Sequence, residues 1–244
     1  MTGGDRNRHE DQPAFILHSY AYRETSLVLE TFIRNFGRVP LVARGARRPK
    51  SALRGVLLPF QPLLLSWFGK SELRTLHRAE WQGGAGQLAG LGLICGFYLN
   101  ELLLRLLPRD DPHEGLFDHY RETLQGLGRQ QDYGPTLRRF EILLLKELGY
   151  AVILEHEAGS KAPIREDRLY TYALEHGPVP ASGADTGGAS PEVSGKTLLD
   201  MAAGDYSAPG TQHQAKGLMR YLIGHYLGDQ PLHTRQMLKD LHQL

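Results

Sequence analysis

Between residues 34 and 54 the chain carries seven cations, Arg34, Arg38, Arg44, Arg47, Arg48, Lys50 and Arg54, and no acid. Guanidinium and ammonium groups held this close add to one local field whose natural complement is a polyanion. A run of Lys and Arg is also how an ordinary solvated face reads. Charge asymmetry favours the polyanion: residues 1–82 hold 13 cations against 7 acids, a balance of +6, whereas residues 83–244 hold 15 against 20, a balance of −5. Rings near the cations could stack on bases. Of Phe32, Phe36, Phe60, Trp67 and Phe68, only Phe32, on the face of Arg34, and Phe36, in a turn, are expected to do so, and the others read as core.

Other constellations carry less. Asp110, Asp111, His113, Glu114, Asp118 and His119 could gather a metal for a nuclease, but His113 and His119 are six apart and fall on different faces of a helix. Asp-Asp-Pro-His-Glu reads instead as a helix start with acids at its positive end. Gly84 to Ala89 matches G-x-G-x-x-A, yet the second parallel strand and acidic residue of a dinucleotide site do not follow. Gly69-Lys70-Ser71 lacks the earlier glycine of a phosphate loop, since Leu64 stands there. Cys95, the only cysteine, sits in an apolar run and reads as core. Neither a G-x-S-x-G elbow nor a poised cysteine supports nucleophilic catalysis. No enzyme activity, cofactor or metal is expected.

The elements that must position the cations are short and β-rich: 14–20, 26–34, 38–44, 62–68 and 72–81. Val39, Leu41 and Ala43 alternate with Arg38 and Arg44, as in a half-buried strand. In the second run Leu27, Leu29, Thr31 and Ile33 alternate with Val28, Glu30, Phe32 and Arg34. Gly45, Pro49 and Ser51 break regular structure and put Arg47, Arg48 and Lys50 on a mobile loop. Five closely spaced strands in about 70 residues are economical as an OB-type barrel.

Strand signals stop at the glycine-rich 83–92, where a domain junction is expected, and helices follow at about 93–107, 114–127 and 135–148. Met219, Leu222, Ile223 and Tyr226 make a helical stripe closed by Gly228. The expected architecture is α+β and multidomain: a polar lead 1–13, a five-stranded OB-type β-barrel 14–82, and a mostly α-helical C-terminal domain 93–244 with a loop-rich insertion at about 156–195. The most apolar stretch, 93–107, is too short and too interrupted to span a bilayer. The polar N-terminus and single cysteine point to a reducing cytosol.

Ala14-Phe-Ile-Leu-His-Ser-Tyr-Ala-Tyr-Arg-Glu-Thr-Ser-Leu27, Gly37-Arg-Val-Pro-Leu-Val-Ala-Arg-Gly-Ala-Arg47 and Leu58-Pro-Phe-Gln-Pro-Leu63 resemble the RecO family of bacterial DNA repair and recombination proteins. Tyr98-Leu-Asn-Glu-Leu-Leu, Leu116-Phe-Asp-His-Tyr, Leu137-Arg-Arg-Phe-Glu, Leu148-Gly-Tyr and Tyr226-Leu-Gly-Asp-Gln-Pro-Leu-His-Thr-Arg continue the likeness in order. The resemblance implies a non-enzymatic, cytoplasmic and nucleoid-associated mediator that binds single- and double-stranded DNA and anneals complementary strands. It implies two protein partners: RecR, and the single-stranded-DNA-binding protein, whose coated strands are handed to RecA and whose acidic, apolar-ended C-terminal tail would be taken by the helical domain. Arg138 is the expected grip on that tail, with Arg139 as its less favoured neighbour and Phe140 on the apolar side. The four-cysteine zinc module of some members is absent here. An RNA-binding OB protein and a metal-dependent nuclease using 110–119 stay open as alternatives.

Overall fold

The alternation of Leu27, Leu29, Thr31 and Ile33 with Val28, Glu30 and Phe32 becomes a two-faced strand in the computed structural model, which describes residues 7–84, 86–129, 132–150, 152–181, 190–228, 231–234 and 236. Five strands close into a barrel: β1 (Arg8–Tyr22), β2 (Ser26–Ile33), β3 (Gly37–Ala43), β4 (Leu63–Phe68) and β5 (Arg74–Trp81), in the order β1-β2-β3-β5-β4. All pairs are antiparallel except β3 with β5. This is the strand order of an OB-type barrel, and closure leaves no long unpaired edge. Ile16, Leu29, Ile33, Val39, Leu41, Leu63, Leu65 and Trp67 fill the interior, each at most 1% exposed.

β1 starts inside the stretch read as a polar lead. Arg8, His9, Gln12 and Pro13 pair with Phe68, Trp67, Leu65 and Leu64 of β4, so a single 15-residue strand serves two neighbours. Its first half lacks the apolar alternation that marks a strand in sequence, because the inner face there is supplied by β4. A short helix, α1 (Leu53–Val56), lies between β3 and β4.

The chain forms two compact units, and by packing their boundary falls near residue 131, downstream of the glycine-rich 83–92 where a domain junction is expected (Ala85 lies outside the described residues). Unit 1 takes Met1–Gln131 and Leu232–Leu244, so the barrel shares it with α2 (Gly90–Leu106) and α3 (Glu114–Gly128). The reason is on the barrel's outer face. Phe15 and Phe32 point outward from β1 and β2, and α3 covers them with Phe117, 5.3 Å from each ring, and Tyr120, 5.1 and 6.1 Å away. Burying such rings contributes on the order of 2 kcal/mol each.

Unit 2 spans Asp132–Pro231. Helix α4 (Tyr133–Glu147) packs on α6 (Pro209–Leu227), which also carries α5 (Gly195–Ala203). Met219, Leu222 and Ile223 of the α6 stripe are buried as their spacing demands. The stretch read as loop holds a small antiparallel sheet of order β7-β6-β8, built from β6 (Leu169–Ala173), β7 (Gly177–Pro180) and β8 (Glu192–Ser194). Its strands are too short and proline-bearing to show a pattern. They are held by hydroxyls: Tyr170 accepts from the amide of Arg165 (3.0 Å) and Tyr172 from that of Ile153 (2.9 Å). Residues 182–189 of the Gly-rich stretch lie outside the described residues.

Two glycines test the packing of unit 1. Gly37 has φ +68°, and a Cβ there would lie 1.9 Å from the Asp111 carbonyl oxygen, whereas one on Gly55 would meet nothing within 4 Å. Gly37→Ala is expected to cost more than the ~1–3 kcal/mol of a left-handed residue alone, while Gly55→Ala, in α1, gains roughly 0.5–1 kcal/mol. Denaturant unfolding of the two variants checks the opposite signs.

Candidate nucleic-acid interface

The basic loop is anchored at both ends. Gly45, at φ +68°, turns the chain out of β3, and Ala46, 1% exposed, pins the turn to the barrel. The Arg47 amide donates to the Thr25 carbonyl (2.8 Å) and its guanidinium to the Arg23 carbonyl (3.4 Å). Bonds from Arg48 to the Gly45 carbonyl and from Ser51 to that of Arg48 make two successive turns running into α1. The loop expected to be mobile is therefore tied to the β1–β2 hairpin. Arg44, Arg47, Arg48, Lys50 and Arg54 are exposed, and none of the five forms an ion pair among the described residues. Five full charges facing water without local neutralisation suit phosphate contact.

The structure removes three of the sequence-derived candidates from this surface. Arg34 sits on α3, with Nη1 2.7 Å from Glu114 and Nη2 2.9 Å from Asp118. Arg38 has a side chain only 15% exposed, donates to the Leu104 carbonyl, and has Nε 3.7 Å from Glu30. Burial pushes its guanidinium below the ordinary value, and Glu30 opposes that shift. Glu30, 8% exposed, also accepts from Arg109 at 2.6 Å, so the buried carboxylate draws on two cations. Phe32 is fully buried under α3. Phe36 is half-buried, edge-on to Trp67 (5.1 Å) and His9 (4.6 Å), and seals one end of the barrel. The alternation placed Phe32, Arg34 and Arg38 on the outer face correctly, but α2 and α3 cover that part of it.

The uncovered part carries residues the sequence reading missed. A bulge in β1 shifts the register between Ile16 and His18, after which Tyr20 pairs with Val28 and Tyr22 with Ser26. Tyr20 is 50% exposed and meets His18 edge-on at 4.4 Å. The Arg23 guanidinium lies over the Tyr22 ring at 5.2 Å, beside the Arg47 turn. The signal in sequence was Tyr-Ala-Tyr-Arg, two aromatics at strand spacing next to a cation, but their facing depends on a bulge that alternation alone does not reveal.

In unit 2, Arg138 does not offer a free grip. It pairs with Glu141, whose side chain is fully buried, and is itself only 12% exposed; Phe140 is 2% exposed. Both belong to the interior of α4. Arg139 is the exposed member, donating to the Gly204 carbonyl (3.0 Å) and lying 5.5 Å from the Tyr206 ring. The 110–119 acids are committed elsewhere: Asp110 to Arg74 (2.6 Å), Asp118 to Arg34, and Asp111 to His113 (3.2 Å). Among the described residues no three metal-binding side chains converge, and no helix is long and apolar enough to cross a membrane.

The Arg34 guanidinium, through its hydrogen bonds, holds the Asp118 carboxyl below the usual carboxylate range. A depressed pKa contributes stability that is present above the unfolded value, about 3.9, and is lost as pH falls through the folded one. Asp118→Asn is therefore expected to be less stable than the parent at pH 7, with the deficit vanishing in strong acid. Urea midpoints at both pH values measure it.

Comparison with known proteins agrees with this arrangement. The family described as Recombination protein O N terminal matches residues 8–84, and Recombination protein O C terminal matches residues 89–236. The chain is 59% identical over 243 residues to the DNA repair protein RecO of Nitrosospira multiformis, covering 98% of this chain and 99% of that one. It is 55% identical over 239 residues to the protein of that name from Aromatoleum aromaticum, with coverage of 98% and 99%, and 52% identical over 240 residues to that of an Azoarcus species, also at 98% and 99%. Both halves match in order and relatives align end to end, so the chain belongs to the RecO family of DNA repair proteins.

Proposed function

We propose that this chain is a non-enzymatic DNA-binding mediator. Its anchored basic loop neutralises the phosphates of single and double strands so that complementary strands can approach and anneal. The observation that carries the reading is the set of five exposed cations that form no ion pair among the described residues, Arg44, Arg47, Arg48, Lys50 and Arg54, beside Arg23 on the adjoining hairpin. Phosphate contacts of this kind bind all sequences alike, as a strand-pairing protein requires. The membership implies cooperation with RecR, delivery of strands to RecA, and capture of the single-stranded-DNA-binding protein by its acidic tail. Arg139 is the residue of the 138–140 group that is open to such a carboxylate, and it replaces Arg138 in that role.

Changing Arg44, Arg47, Arg48 and Lys50 together to Ala is expected to weaken binding to every oligonucleotide. Losing about four phosphate contacts makes the log–log salt slope for single strands shallower by roughly 3. Arg34→Ala, whose cation is already spent on α3, leaves the slope as it was. Fluorescence anisotropy across a salt series measures both, and an unchanged slope in the quadruple variant would move the site elsewhere. Competing RNA of equal length tests the preference for DNA.

For the tail, Arg139→Ala is expected to weaken an acidic, apolar-ended peptide by about 10- to 150-fold, the worth of one charge-assisted contact, with bare DNA binding retained. Equal peptide affinity in the variant and its parent would remove Arg139 from the role.

A further inference from the structure

The strand register assembles a feature that the basic loop does not explain. Tyr20 pairs with Val28, Val28 with Val42, Val42 with Thr75, and Thr75 with Phe68. These five residues come from β1, β2, β3, β5 and β4, and form one cross-strand row around the barrel. Neighbouring strand residues in β2 and β3, Leu27, Leu29, Leu41 and Ala43, face the core, so the row faces outward. At about 4.8 Å per strand step the row runs roughly 19 Å between its terminal rings. Those rings are both open to solvent, Tyr20 at 50% and Phe68 at 45%. Each has a histidine at its side: His18 lies 4.4 Å from Tyr20, and His77 6.4 Å from Phe68.

Cations stand near the row. Arg44 follows the end of β3, two residues after Val42, and Lys70 follows the end of β4, two residues after Phe68; both are exposed. Between the two exposed rings the row holds Val28 and Thr75, both partly exposed, and Val42, which is 8% exposed, and exposed cations stand near both of its ends. Duplex DNA presents phosphates and sugars, and keeps its base faces stacked on one another. A single strand presents both phosphates and unstacked base faces.

We propose that the row from Tyr20 to Phe68 is a stacking track for the bases of unpaired DNA, which lets the barrel tell a single strand from a duplex. The inference rests on the DNA-binding reading above and deepens it: the basic loop supplies affinity for any phosphate backbone, and the two rings supply the preference for an open strand. Stacking on aromatic rings is sequence-tolerant, since every base has a flat face. The preference concerns strandedness alone.

The experiment uses the full chain, an oligothymidylate and a blunt duplex of equal length, with Tyr20→Ala, Phe68→Ala and Tyr20→Phe. Both rings are half exposed, so truncating them opens no cavity, and thermal unfolding confirms that each variant folds. Each alanine variant is expected to lose roughly 5- to 150-fold in single-strand affinity, the range for one stacked base, and under about twofold on the duplex. Tyr20→Phe keeps the parent affinity, because it keeps the ring. The salt slopes of all three stay at the parent value, whereas the quadruple loop variant flattens the slope on both ligands; the two readings thus fail separately. Unchanged single-strand affinity in both alanine variants, or equal losses on single and double strands, would overturn the track.

Discussion

The outer face of the barrel depends on one hydrogen-bonded junction at the β1 bulge. There the chain carries one residue more than its partner strand, and the Leu17 carbonyl leaves the ladder. Asn100 of α2, 2% exposed, donates its amide to that carbonyl at 2.8 Å, while the Tyr120 hydroxyl of α3 donates to the Asn100 side-chain oxygen. A buried carbonyl without a partner costs about 1–3 kcal/mol, so the bulge is tolerable only because two helices supply the donors. Burial also pushes the Tyr120 phenol far above its ordinary value, so it stays a donor at any working pH. The bulge sets the parity of everything after it. Without the extra residue, His18 would face Leu29 across the pair and Tyr20 would face Leu27, both on the core side. With it, His18, Tyr20 and Tyr22 all turn outward.

The same helices divide the surface into a neutralised half and a charged half. Glu30, Glu114, Asp118 and Asp110 lie beside Arg38, Arg34 and Arg74, and every one of those cations is paired. A carboxylate as buried as Glu30 is tolerable only with close cationic partners, and Arg38 and Arg109 provide them. Past Ala43 the cations form no ion pair among the described residues. Identical residue types thus stand in opposite settings a few positions apart: Arg38 ties elements together, while Arg44 is exposed with no ion pair among the described residues.

Much of this was legible beforehand, and the failures have a common cause. The five strands were readable because each has an apolar face with period 2, and the helices because Leu and Phe recur at helical spacing. The loop cations were readable because charge needs no fold to be counted. What alternation could not tell was which outward residues another element would cover. It set Phe32 and Arg34 on the correct face and left open whether solvent or α3 would meet them. Arg138 was read as open to a partner for the same reason, since the buried acid it pairs with lies one turn along its own helix. Tyr20 and Tyr22 were missed because a single extra residue in β1 reverses their facing. The β6–β8 sheet was missed because tyrosine hydroxyls, and not an apolar stripe, hold it.

Unit 1 is discontinuous in sequence, and its closing piece is small. Glu101 on α2 accepts from the amides of His233 (2.8 Å) and Thr234 (3.0 Å) and from the Thr234 hydroxyl, and Leu232 is 3% exposed. Unit 2 is therefore an insertion bounded by two covalent crossings, one near residue 131 and one near residue 232. A protease that cuts one crossing leaves unit 2 covalently tied to one part of unit 1 only, and freeing it of both covalent ties takes two cuts. Order of synthesis follows from the same topology: the ribosome makes the whole of unit 2 before it makes the residues that Glu101 holds. Until those contacts form, the Glu101 carboxylate has Arg105, one turn on in α2, as its partner.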